Sequence, residues 1–497
     1  MNLGMKTMKR FEEAMRHMKP ALVLALCAAL GTGLYSCGSS GGIFFSTSAG
    51  NTNVLKGVTL TGGKQGAAVG LVDVDGDGIP DKVVGAPYAT TTSNTGVVLI
   101  YKGDSKGGFS SAPSSLLTGD DLFGASFVKL PKASNSDKEK FAIGAIYGDG
   151  ADVSLCGSVS IYQGGGSGPQ LITKLAGEGP MDRFGYSLAA GDLDGDGYTD
   201  IVVGAPSNTP SPSLYQQGAV YVYFGPQFTR SIALHASSTN KALGWAAAIG
   251  DINGDGKADL MLSAGGRILA YYGGTSFVSG SSTPVSVDSP DVTITSSASG
   301  FGKAIAILGD VNGDGITEIA IGAPNAVVGT NTDTGTVYIV KGTVRGTVNL
   351  EAATPPADLI VKINGLNLFD RFGASIVPAG DVDGDGKSDF AVSANLADGN
   401  TDDISGKVYL FKGKDINAST TLAASTAFTG LVMDQGYGTC LAPAGPGKLL
   451  IGGPTAYMNT GSVFTVDLST GNVVTGGSSG GSSGGGLDCT SMPDMCM

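Results

Sequence analysis

A chain of 497 residues is longer than one hydrophobic core sustains, so it must divide into domains or repeats. Gly and Pro make up about a fifth of it, below the share that marks an aperiodic low-complexity chain, so its body should fold. A net charge of −13 with no clustered Lys/Arg argues against a nucleic-acid partner, and two histidines leave little for imidazole catalysis.

Lys6, Lys9, Arg10, Arg16 and Lys19 precede the apolar run Ala21 to Leu30, and Leu34-Tyr35-Ser36-Cys37 follows. A basic region, an apolar stretch too short to span a bilayer and then a cysteine read as a secretory signal over residues 1–36. Its removal takes away five basic and two acidic groups, which leaves the remainder more acidic and His235 as its one histidine. The tetrapeptide resembles the lipobox of bacterial lipoproteins. That resemblance implies cleavage before Cys37, acylation there, a membrane anchor in the bacterial envelope and, with Gly38 next, retention in the outer membrane. Residues 37–52, rich in Gly and Ser, read as a flexible tether.

One unit then recurs seven times, with a reference glycine at Gly66, Gly124, Gly185, Gly244, Gly302, Gly373 and Gly438. A period of about 60 residues indicates a solenoid, propeller or array. The third unit is the clearest. Phe184-Gly185 opens a strand (Tyr186 to Ala190), the loop Asp192 to Asp200 follows, and an apolar strand ends in Gly204-Ala205-Pro206. A polar loop, a strand over Ala219 to Phe224 and a weaker strand near Ser231 to His235 complete it. Four short strands rich in β-branched and aromatic residues make one propeller blade, so residues 53–468 should form an all-β, seven-bladed β-propeller of four-stranded antiparallel blades. The seventh unit lacks a fourth strand, and Val54 to Leu60 matches such strands. That N-terminal strand should close the last blade and the ring. Residues 469–497 read as a Gly/Ser-rich disordered tail in which Cys489 and Cys496 can pair, whereas Cys156 and Cys440 should be small buried residues, not a bridge.

Five units carry D-x-[DN]-x-D-G-x-x-[DE] between strands one and two. The loops run Asp73/Asp75/Asp77/Asp81, Asp192/Asp194/Asp196/Asp200, Asp251/Asn253/Asp255/Asp259, Asp310/Asn312/Asp314/Glu318 and Asp381/Asp383/Asp385/Asp389. Alternate residues of a tight loop direct oxygens to a common centre, and calcium takes about six to eight of them. The backbone carbonyls of Ile79, Tyr198, Lys257, Ile316 and Lys387 can complete each set. Carboxylates packed together without a cation would repel, so about five Ca2+ ions are expected. Units two and seven lack the acidic loop and should lack calcium.

These units resemble FG-GAP repeats, the repeats of the integrin α-subunit propeller. Phe-Gly stands at Phe123-Gly124, Phe184-Gly185, Phe301-Gly302 and Phe372-Gly373, and Gly-Ala-Pro at Gly85-Ala86-Pro87, Gly204-Ala205-Pro206 and Gly322-Ala323-Pro324. The resemblance implies a propeller that binds a protein or glycan partner. It also implies a rim of aromatics receiving a partner's basic side chain, for which Tyr186 and Trp245, just after the reference glycine, are the candidates. Strand order puts the acidic loops at one end of the blades. The variable loops Tyr88 to Thr95, Ser207 to Gln217, Asn325 to Thr334 and Asn395 to Ser405 lie at the other, the usual place for recognition. The expected function is an envelope-anchored, monomeric binding or adhesion module and not an enzyme. A carbohydrate-active propeller and a purely structural envelope lipoprotein are the alternatives.

Overall fold

In the computed structural model, the described residues are 63–472 except 92–94, 135–136, 151, 167, 210–216, 230, 237–241, 275–276, 278–285, 398–404, 419, 430–435 and 455–460. The expected signal, Cys37, the tether, the closing strand Val54 to Leu60 and the Cys489/Cys496 tail lie outside them. The chain divides into Met1–Thr52 and Asn53–Met497, and all that follows concerns the second unit.

Seven sheets follow one another along the chain and form a seven-bladed β-propeller, with no α-helix among the described residues. Blades one to seven occupy residues 69–118, 123–176, 187–235, 247–295, 304–364, 372–429 and 440–467. Each is an antiparallel meander, as blade three shows. Strand two (Asp200–Ala205) lies between strand one (Ser187–Gly191) and strand three (Ala219–Tyr223), and strand four (Ser231–His235) is the outer edge. Strand two is buried on both faces, so it reads as a continuous apolar run. Its alternation still matters. Ile201 and Val203 pack with Ala142, Val159 and Ile161 of blade two, while Val202 packs with Leu260, Leu262 and Leu269 of blade four.

Between blades the backbones themselves touch. A Cβ built on Gly204 of strand two would sit 2.1 Å from the carbonyl oxygen of Gly244 in blade four, and Gly244 has φ +87°, a region open to glycine. The same pair of motif glycines meets at Gly85/Gly124, Gly144/Gly185 and Gly322/Gly373. It meets again between the last blade and the first, where a Cβ on Gly452 would lie 2.1 Å from the Gly66 oxygen. Together with the Gln65–Gly461 bridge and the packing of Val69 on Leu450, this closes the ring within the described residues. The two units with serine at the strand-two position, Ser263 and Ser393, bring its Cβ to 3.3 and 2.7 Å of the ideal Cβ position on the next reference glycine. Phe184 of Phe-Gly is fully buried against Tyr221, 5.3 Å between ring centroids.

Blade seven shows three strands among the described residues, as its sequence predicts, and the strand expected to complete it lies outside them. Blade four has five, because Gly346–Asn349, a segment between strands three and four of blade five, pairs in parallel with its outer strand Val292–Thr295. The strap is fastened by a hydrogen bond from the Thr295 hydroxyl to the Val348 carbonyl and by Arg345 over the Tyr272 ring. Cys156 is buried and Cys440 half-buried, and both are unbridged; burial pushes the Cys440 thiol up to about 11.

The backbone contact predicts that Gly204→Ala lowers unfolding free energy by about 1–3 kcal/mol or more, since the Ser187 hydroxyl can turn aside but the Gly244 backbone cannot. Gly166→Ala, where a Cβ meets open space, should change it by less than about 0.5 kcal/mol. Urea unfolding of the two variants checks both.

Candidate metal centres

Each acidic loop folds by the same internal hydrogen bonds. In blade three the first carboxylate, Asp192, accepts the Gly195 N–H at 2.8 Å on one oxygen and the Gly197 N–H at 2.9 Å on the other. The fifth position, Asp196, accepts the N–H of Tyr198 at 2.9 Å. Asp73, Asp251, Asp310 and Asp381 hold their own loop glycines in the same way. The glycines carry positive φ and allow the turn that the carboxylate then fixes.

The ninth position does something different. Asp200 is fully buried, and its two oxygens accept the Leu193 N–H inside the loop and the Gly225 N–H just past strand three, at 2.8 and 2.9 Å. Asp81, Asp259 and Asp389 make the same pair of bonds, tying the hairpin loop to the third strand. Glu318, one methylene longer, accepts from Val311 N–H and from the Asn312 side chain. Burial pushes Asp200 up to about 6 and Glu318 up to about 7, and neighbouring loop carboxylates add to the shift; the N–H donors offset it only in part. Asp81, Asp259 and Asp389 shift in the same direction for the same reasons. A buried acid beside further acids is a position that a cation stabilises.

Carboxylate oxygens converge within 4.8 Å of one another in three loops: Asp73, Asp75 and Asp81; Asp192, Asp194 and Asp200; Asp381, Asp383 and Asp385. These all-oxygen sets fit a hard divalent cation of calcium's preferences. In the loops of blades four and five the third residue is Asn, and Asn253 and Asn312 turn their NH2 groups toward Asp255 and Asp314. The loops also bind neighbours: Gly165 N–H of blade two donates to the Val74 carbonyl, and Gly274 N–H of blade four to that of Leu193.

Lysines outside the motif reach three of the five loops. Lys102 pairs with Asp75 and lies 3.1 Å from Asp77, Lys341 lies 2.6 Å from Asp314, and Lys412 and Lys414 lie 3.2 and 2.5 Å from Asp383. Their signal in the sequence is a Lys at the end of strand three, visible only once that strand is aligned with the loop. In blade two Glu139 takes both Lys129 at 2.8 Å and the Asp73 N–H of blade one at 2.7 Å.

Tyr186 and Trp245, the candidate rim, are half-buried side by side with ring centroids 4.9 Å apart. The ammonium of Lys303, from the equivalent position of blade five, lies 5.3 Å from the Trp245 centroid and donates to Asn325 of the variable loop at 2.8 Å. The chain thus sets one of its own cations over the tryptophan of the pair. Of the variable loops, Asn325 to Thr334 is fully described; parts of the other three lie outside the described residues.

Residues 65–101, 184–223, 243–279, 301–340 and 372–411 match the FG-GAP repeat, and these are the five units with acidic loops. Integrin alpha pat-2 of Caenorhabditis elegans is 30% identical over 234 residues, 43% of this chain and 18% of that protein. Integrin alpha-IIb of Mus musculus is 31% identical over 223 residues, 42% of this chain and 20% of that protein. Phosphatidylinositol-glycan-specific phospholipase D of Bos taurus is 36% identical over 119 residues, 21% of this chain and 14% of that protein. The chain spans a fifth or less of the length of these curated relatives.

Replacing Asp200 by Asn would set an NH2 group against one of two backbone N–H donors. We expect Asp200→Asn to cost about 1–3 kcal/mol in metal-free protein, measured by urea unfolding with chelator present. Unchanged stability would show that the clamp contributes nothing without metal.

Proposed function

Taking the chain as an integrin-like FG-GAP propeller protein, we propose that it is a calcium-loaded binding module, displayed on a bacterial envelope through acylated Cys37, for a protein or glycan partner. The observation that carries this reading is the five-fold repetition of one oxygen-rich loop, at one end of five blades, with the same internal hydrogen bonds each time. Catalytic groups recur rarely within one chain; a structural ion that holds a hairpin recurs with every blade that needs it.

Calcium on this reading neutralises the loops and stiffens the turn between strands one and two. The opposite end, with the variable loops and the pair Tyr186 and Trp245, is left for the partner. Lys303 over Trp245 makes that surface a preformed cation–aromatic unit, which favours a partner with an acidic or polar group. The similarity to the phospholipase D lies in the repeat region and covers a small part of that protein, so no activity is carried over from it. The leader supports export and a lipid anchor by its sequence alone.

Elemental analysis of the mature protein should return five calcium ions, and chelation should lower the melting temperature by about 5 °C or more, since an ion bound by the folded state alone stabilises it by mass action. No bound calcium and no thermal response to chelator would sink the reading. Capture from envelope and host-surface extracts with calcium-loaded protein should yield a partner whose binding weakens in Trp245→Ala, with calcium stoichiometry unchanged.

A further inference from the structure

The lysines at the acidic loops share one address. In blade five Lys341 is the cross-strand partner of Glu318, the ninth loop position. Lys102 and Lys412 stand one residue past Tyr101 and Phe411, whose partners Lys82 and Phe390 directly follow the ninth-position Asp81 and Asp389. Thus in blades one, five and six the acid that opens strand two has a lysine at the end of strand three or one residue past it, and that lysine's ammonium reaches the third or fifth loop carboxylate.

The two blades without acidic loops keep a fixed cation at the same place. Lys140 and Lys448 open strand two of blades two and seven, where the other five have Asp or Glu. In blade seven the pair is exchanged outright, with Lys448 on strand two opposite Asp467 on strand three. A positive charge built into the chain therefore recurs at this corner in three of the five blades that have the carboxylates and at the start of strand two in the two that lack them.

Resting on the calcium reading above, we propose that Lys102, Lys341 and the pair Lys412/Lys414 are tethered counter-cations that hold their loops when calcium is scarce and must be displaced when it binds. An ammonium on the third or fifth carboxylate occupies oxygens that the ion needs, so the two compete for one set of ligands. The lysine keeps the empty loop from repelling itself open, at the expense of affinity. Loading of these three loops is then graded with calcium concentration while the propeller stays folded.

The test uses full-length mature protein with Lys102→Met, Lys341→Met, Lys412→Met and Lys414→Met combined, Lys102→Met alone in case the combination does not fold, and calcium as the probe. Calorimetric titration should show affinity at the altered loops rising about two- to fivefold, the scale of one exposed ion pair. Melting in chelator should fall, while melting in saturating calcium should hold or rise. Lys362→Met, whose ammonium pairs with Glu351 and not with a loop, should leave calcium affinity unchanged. Unchanged or weaker calcium binding in the loop variants, or equal loss of stability with and without calcium, overturns the inference while leaving the calcium reading intact. No calcium binding by the wild-type protein overturns both.

Discussion

The propeller depends on how closely two backbones can approach. At each junction with a motif glycine on strand two, that glycine lies against the carbonyl of the reference glycine in the following blade, closer than any side chain would allow. That approach brings neighbouring sheets into register, so that alternate residues of strand two can fill the two adjoining interfaces. Where serine replaces the first glycine, the reference glycine of the next blade remains, and the junction persists. Phe-Gly and Gly-Ala-Pro are therefore two halves of one contact. They are distant in sequence within a unit and adjacent in space across units.

The acidic loops extend the same logic to one end of the blades. Their first carboxylate shapes the loop, the ninth in four of the five ties it to the end of strand three, and carbonyls in the loops of blades one and three take hydrogen bonds from the following blade. A side chain that binds backbone on two strands is spent on structure before any ion arrives. It follows that the loop is preformed, and that an ion entering it finds ligands already oriented, with little ordering entropy left to lose.

The sequence made the fold legible where the signal was local and repeated. Runs such as Ile201-Val202-Val203 could only be strands between turn residues, and seven reference glycines counted the blades. Less legible was anything that required two units at once. Gly346–Asn349 is four residues of weak strand character, and it became a strand because blade four offered an open edge beside it. Likewise Lys341 is unremarked in a linear reading, since its meaning lies in facing Glu318 across a sheet. The pairing of Tyr186 with Trp245 was legible as equivalence of position, but Lys303 as the cation over Trp245 was not, because the motif gave its place without its direction.

The parallel strap from blade five onto blade four breaks the equivalence of the seven junctions. A ring of similar units has no intrinsic beginning, and in principle its chain could be cut and rejoined between any two blades. Here the junction of blades four and five is crossed by a strand as well as by packing. Cutting the chain there leaves that strand in place, but removing either blade alone would leave one sheet edge bare or one segment without a partner. Duplication, loss or exchange of a single unit in this part of the ring therefore forfeits a pairing that the other junctions do not carry.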